Sequence, residues 1–187
     1  MRAALFLDRD GVINHDTGYC HRIEEFVFRE GIFALCHAAQ RRGMALVVVT
    51  NQAGIGRGLY TEADFAALTG WMLARFAERG IAFAGVEHCP DHPQHGLGAY
   101  RRDNARRKPG PGMILDAART HDLDPARSAV VGDRATDMQA ALAAGVATRI
   151  LLAADPAEAR AAPPGTILLA DGALDAAARL VAALPRA

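Results

Sequence analysis

The chain has no run of about 18 apolar residues, so it offers no helix able to span a membrane. Cysteine is scarce: Cys20, Cys36 and Cys89 are an odd number at irregular spacing. That argues against a disulfide framework and for a reducing compartment. Charge of one sign is also lacking, because 21 basic and 21 acidic residues cancel. A global field for nucleic acid or a membrane surface is thereby excluded. Aromatic residues make up only 6%, few for stacking on bases. The N-terminus meets Asp8 too early for the apolar core of a signal peptide. These absences leave a cytoplasmic protein with neither a membrane nor a nucleic-acid partner.

What is present is a core. About half of the 187 residues are apolar, enough for one compact domain over residues 1–187 and too few for two. Strand-like and helix-like segments alternate along it. Ala3–Leu7 and Met44–Val49 are apolar runs of the kind covered on both faces of a sheet. Ile81–His88, Ala129–Val131, Val146–Leu152 and Thr166–Leu169 read as further strands. Helices are expected over Gly31–Arg42, from Thr61 to Arg79, over Gly112–Thr120, around Met138–Ala144 and over Asp171–Leu184. Gly43, Gly80 and Gly145 act as stops. Gly54–Gly58 reads as a flexible loop, and Pro156–Gly165 as a surface loop or partial helix. Alternating strands and helices predict an α/β fold of three layers, a mainly parallel central sheet with helices on both faces.

In such sheets ligands bind beyond the carboxyl ends of the strands. Three of the expected strands end in polar groups suited to one reaction: Asp8-Arg9-Asp10-Gly11, Thr50-Asn51-Gln52 and Gly132-Asp133-Arg134. Lys108 lies between the second and third, ahead of a helix. Each alone has an ordinary explanation as a turn residue, a helix cap or a solvated charge. Together they form a carboxylate cluster for magnesium, a hard ion that seeks oxygen, and a cation and hydroxyl for a phosphate.

These residues resemble the motifs of the haloacid-dehalogenase (HAD) superfamily of phosphatases. Phe6-Leu7-Asp8-Arg9-Asp10-Gly11-Val12-Ile13-Asn14 is similar to the first motif, Val49-Thr50-Asn51-Gln52 to the second, Lys108 to the third and Gly132-Asp133-Arg134-Ala135-Thr136-Asp137 to the fourth. Within the superfamily, Thr50–Gly58 and Arg107–Met113 most resemble the heptose-bisphosphate phosphatases. The histidinol-phosphate phosphatases share nearly the same motifs. The resemblance implies a Rossmann-like HAD fold with no large cap domain and a sugar-bisphosphate substrate, and the protein is expected to be a monomer. Asp8 becomes the nucleophile and Asp10 the general acid and base. Magnesium falls to Asp8, the backbone carbonyl of Asp10 and Asp133. Thr50, the amide of Asn51 and Lys108 fall to the transferring phosphoryl oxygens, Gln52 to phosphate or substrate binding beside them, and Arg107 and Arg134 to the phosphate that is not cleaved. Asp137 is expected to orient Lys108 or a water beside the metal rather than bind magnesium itself.

One departure concerns zinc. Many members of this group carry a structural zinc on a Cys-x-His pair and a Cys-x-Cys pair. Here Cys89 is kept, but Asp91, Asn104 and Arg106 stand at the other three positions. A structural zinc is therefore expected to be absent. Leu97, Tyr100, four prolines and ion pairs among Asp91, Asp103 and the arginines are expected to hold the loop instead.

Overall fold

The computed structural model describes residues 1–185. Six strands form one sheet: β1 (Ala4–Leu7), β2 (Ala45–Asn51), β3 (Gly85–Cys89), β4 (Ala129–Gly132), β5 (Thr148–Ala153) and β6 (Ile167–Ala170), in the order β3-β2-β1-β4-β5-β6. Every pairing is parallel. The helices are α1 (Ile32–Arg41), the single turn α2 (Ala53–Gly56), α3 (Glu62–Ala77), α4 (Gly112–His121), α5 (Ala135–Ala143), α6 (Pro156–Ala161) and α7 (Leu174–Ala183).

The unbroken apolar runs follow from double coverage. In β1, Leu5 and Leu7 pack with residues of α1, α3 and α7, whereas Ala4 and Phe6 pack with residues of α4 and α5. All four are buried, so no face of the strand needs a polar residue. The three-layer expectation holds. Among the described residues no helix is long and apolar enough to cross a membrane.

Strand order reverses between β1 and β4, which places the ends of these two strands side by side at the sheet's switch point. Leu7 pairs with both Val48 and Val131, and the Asp8 amide continues the ladder to the Val131 carbonyl at 3.1 Å. The residues that follow each strand therefore emerge together.

Several boundaries differ from expectation for local reasons. Ile81–Ala84 is not strand: Ile81 is buried under α3, the Ala84 amide makes the first bond to β2 at the Leu46 carbonyl, and the strand runs from Gly85. Helix α5, of which Met138–Ala144 is expected to form part, starts at Ala135, where the Asp137 carboxylate accepts the Asp133 and Arg134 amides. The final helix begins at Leu174. Before it, Asp171 pairs with Arg29 and Gly172 has φ +75°. Pro156–Ala161 is a helix with Asp155 as its cap. Gly54–Gly58 is not a flexible loop. Its first residues lie in α2, where Gly54 and Gly56 lie too close to the Tyr60 ring and the Pro90 carbonyl to carry a side chain.

Candidate active site

The ends of β1, β2 and β4 and the loop before α4 enclose a cleft of about 290 Å³, with Asp8, Asp10, Thr50, Arg107, Lys108 and Asp133 among its lining residues. Lys108 is its charge centre. Its Nζ lies 3.0 Å from Asp8 Oδ1 and 2.6 Å from Asp137 Oδ1, and donates to the Val49 carbonyl at 3.0 Å. Burial alone would lower its pKa, but the charges of Asp137 and Asp8 outweigh burial and raise it. Lys108 is a fixed cation.

The carboxylates respond in the opposite sense. Burial, with the charges of Asp137 and Asp10, pushes Asp8 up to about 7 despite Lys108. Burial, with Asp8 and Asp137, pushes Asp133 up to about 8. One oxygen from each of Asp8, Asp133 and Asp137 lies within 4.8 Å of the other two, and Asp133 Oδ1 is buried without a hydrogen-bond partner. A cluster short of positive charge, with an orphaned oxygen, fits a hard divalent cation such as magnesium. Gly11, at φ +88°, leaves the room: a Cβ there would lie 2.2 Å from Asp133 Oδ2.

Asp137 is the least available of the three. Its Oδ1 takes Lys108 and its Oδ2 takes two backbone amides. Asp10 is held differently. Arg9, itself only 1% exposed, grips it through Nε at 3.2 Å and Nη2 at 2.9 Å. Asn14 Nδ2 and Gln52 Nε2 each donate to it at 3.0 Å. The Asn51 side chain clamps the Lys108 backbone, accepting its amide at 3.0 Å and donating to its carbonyl at 3.1 Å. Asn51 and Gln52 thus direct their side chains to the protein.

Arg9, Asn14 and Tyr60 joined this constellation without being singled out from the sequence. Arg9 and Asn14 lay inside the first motif, so proximity to Asp10 was a usable signal. Tyr60 had none, since only the fold brings it to Gln52.

The basic loop is largely neutralised by its neighbours. Arg102 Nε donates to the buried Asp91 at 2.7 Å. Arg106 reaches Glu87 at 2.7 Å and also pairs with Asp116. Arg107 alone of the loop arginines lines the cleft, with Nη1 donating to the Asp91 carbonyl at 3.2 Å. Arg134, with its side chain 55% exposed, faces the cleft from the other side.

The expected supports of the loop need correction. Leu97 is 62% exposed, so it contributes no core contact. Among the described residues the ion pairs converge on Asp91 and Arg106, and none reaches Asp103. The residues present do not fit zinc. Asp91 Oδ2 is taken by Arg102 and Asn104, which leaves only its buried Oδ1 without a partner. Asn104 and Arg106 stand where thiolates would be needed, with the Arg106 cation turned to carboxylates, and His92 Nδ1 accepts the Gln94 and His95 amides.

Comparison with known proteins agrees with this geometry. The HAD-hydrolase-like family model matches residues 105–176. The chain is 54% identical over 149 residues to the D-glycero-alpha-D-manno-heptose-1,7-bisphosphate 7-phosphatase of Burkholderia mallei, covering 80% of this chain and 79% of that one. It is 51% identical over 151 residues to the D-glycero-beta-D-manno-heptose-1,7-bisphosphate 7-phosphatase of Vibrio cholerae, covering 81% of each. The structure of D,D-heptose 1,7-bisphosphate phosphatase from B. bronchiseptica, complexed with magnesium and phosphate, superposes with a TM-score of 0.80 at 31% identity, covering 96% of this chain and 98% of that one. The carboxylates at the switch point, the lysine between them and these identities place the chain in the heptose-1,7-bisphosphate 7-phosphatase family of HAD phosphatases.

Proposed function

We propose that this protein removes the 7-phosphate of D-glycero-D-manno-heptose 1,7-bisphosphate in the synthesis of lipopolysaccharide heptose precursors. The observation that carries the chemistry is Lys108, buried 3.0 Å from Asp8 at the mouth of the sheet. It fixes a positive charge where both the nucleophile and the phosphoryl oxygens must meet. We take residues 1–187 as one catalytic domain, since a single sheet presents every group of the site. Balanced charge and three free, buried cysteines support a cytoplasmic enzyme without nucleic-acid partners, and we take it to act as a monomer.

Asp8 attacks phosphorus, the bond from phosphorus to the sugar oxygen breaks, and Asp10 gives that oxygen its proton. Asp10 then takes a proton from water as the water attacks the aspartyl phosphate, releasing phosphate and restoring Asp8. Magnesium, held by Asp8, Asp133 and the backbone carbonyl of Asp10, supplies the charge that lets two anions approach. Lys108 and the Thr50 hydroxyl stabilise the phosphoryl oxygens, while Asp137 keeps Lys108 in place. Arg107 and Arg134 flank the cleft where the second phosphate would lie.

A phosphate-release panel tests the substrate. Heptose 1,7-bisphosphate should be preferred over histidinol phosphate and fructose 1,6-bisphosphate, and Asp8→Asn should release phosphate from none of them. Preference for histidinol phosphate would overturn the assignment.

Arg107→Ala removes a charge-assisted contact worth about 1.5–3 kcal/mol. Its kcat/KM should fall accordingly on the bisphosphate and little on p-nitrophenyl phosphate. Equal losses on both would move Arg107 to the reacting phosphoryl group.

The metal-free protein should lose stability as pH rises. Asp8 and Asp133 bind their protons more tightly when folded, at about 7 and about 8, than in an unfolded chain near 3.8. Between those limits the folded state holds more protons, so stability declines from roughly pH 4 to pH 8 and then levels. Thermal melts should show that decline, its reduction in Asp133→Asn, and its reversal by magnesium at pH 8. A magnesium effect that is the same at pH 5 and pH 8 would contradict it.

A further inference from the structure

Gln52 is 1% exposed and every polar atom of its side chain is engaged. Nε2 donates to Asp10 Oδ2 at 3.0 Å and to Thr50 Oγ1 at 2.9 Å, while Oε1 accepts the Tyr60 hydroxyl. The orientation of the amide follows from chemistry. Once Asp10 has given up its proton its carboxylate can only accept, so the NH2 end faces Asp10 and the carbonyl takes the proton of the Tyr60 hydroxyl. The consequence reaches Thr50. Its oxygen already accepts from Gln52, so its own proton is free to point into the cleft toward a phosphoryl oxygen.

Tyr60 is built to be rigid. Its ring stacks on His21 with centroids 5.0 Å apart and planes 3° apart, and packs with Ile55 and Phe65. Gly54 lets it approach, since a Cβ there would sit 2.1 Å from Tyr60 Cε1. Burial raises the phenol above its ordinary pKa, so the hydroxyl keeps its proton as a donor.

We propose that Tyr60 is a positioning residue that locks the Gln52 amide, and through it sets both the Asp10 carboxylate and the Thr50 proton for phosphoryl transfer. The inference rests on the roles assigned above to Asp10 and Thr50, but not on the identity of the sugar. Without the Tyr60 hydroxyl, the Gln52 carbonyl loses its donor, and the amide is held in orientation from the Asp10 side alone. The flipped orientation sets a carbonyl oxygen against the Asp10 carboxylate.

The test is a double-mutant cycle with Tyr60→Phe and Gln52→Leu, assayed with p-nitrophenyl phosphate and with the bisphosphate. Tyr60→Phe should lower kcat about 5- to 30-fold, the effect of one misplaced buried hydrogen bond, with KM within about 2-fold of the parent. In the Gln52→Leu background the same substitution should change kcat by less than about 2-fold. A second readout, by NMR, needs no Gln52 variant: the Nε2 protons of Gln52 should shift and exchange faster with solvent in Tyr60→Phe than in the parent. An unchanged kcat, an equal factor in both backgrounds, an effect confined to KM, or unaltered Gln52 amide signals would each overturn the proposal. Failure of the parent to hydrolyse any phosphate monoester would instead overturn the assigned activity.

Discussion

The placement of Lys108 between Asp8 and Asp137 is the interaction on which the rest of the site depends. A buried ammonium without partners would be expelled or neutralised, and so would two buried carboxylates without a cation. Here the cation and the anions stabilise one another, with Nζ 2.6 Å from Asp137 and 3.0 Å from Asp8. The balance is still incomplete, because Asp133 adds a third carboxylate and leaves one oxygen unpartnered. That residual negative charge suits a divalent cation, and the cation then makes room for a phosphate.

The backbone is arranged to keep this cluster in place. Asp8 follows a strand buried on both faces, and its amide is tied to β4. Asp133 and Asp137 flank the start of α5, where Asp137 accepts two free amides. Lys108 arrives on a loop, the least rigid kind of support, and Asn51 compensates by bonding its backbone on both sides. The loop behind it rests on the buried Asp91 in place of a metal, which leaves Arg107 as the loop arginine that faces the cleft.

Much of this was legible in the sequence because it is written locally. Strand runs covered on both faces, glycine stops and carboxylates at strand ends are short-range patterns, and Asp8, Asp10, Lys108 and Asp133 were visible in them. What was not legible depends on tertiary partners. Arg9 lies within the first motif, but that it is buried and grips Asp10 is shown only by the fold. Ile81–Ala84 has the composition of a strand, yet Ile81 turns under α3 and only the Ala84 amide reaches β2, at the Leu46 carbonyl. Gly54–Gly58 has the composition of a mobile loop, yet Tyr60 and Pro90 hold its first turn as a helix. Asn51 and Gln52 sit in a phosphate-binding motif, but the structure turns their side chains inward to hold Lys108, Asp10 and Thr50.

The central claim is that Asp8, poised by Lys108, becomes covalently phosphorylated and that Asp10 is needed to clear it. An activated ester such as p-nitrophenyl phosphate has a leaving group that departs without a general acid, so Asp10→Asn can still be phosphorylated while the hydrolytic step is slowed. Rapid quenching of Asp10→Asn with this substrate and magnesium, followed by peptide mass spectrometry, should find one phosphoryl group per chain, on Asp8 and labile to hydroxylamine. Steady turnover with no labelled Asp8, or a phosphoryl group on any other residue, would contradict the account.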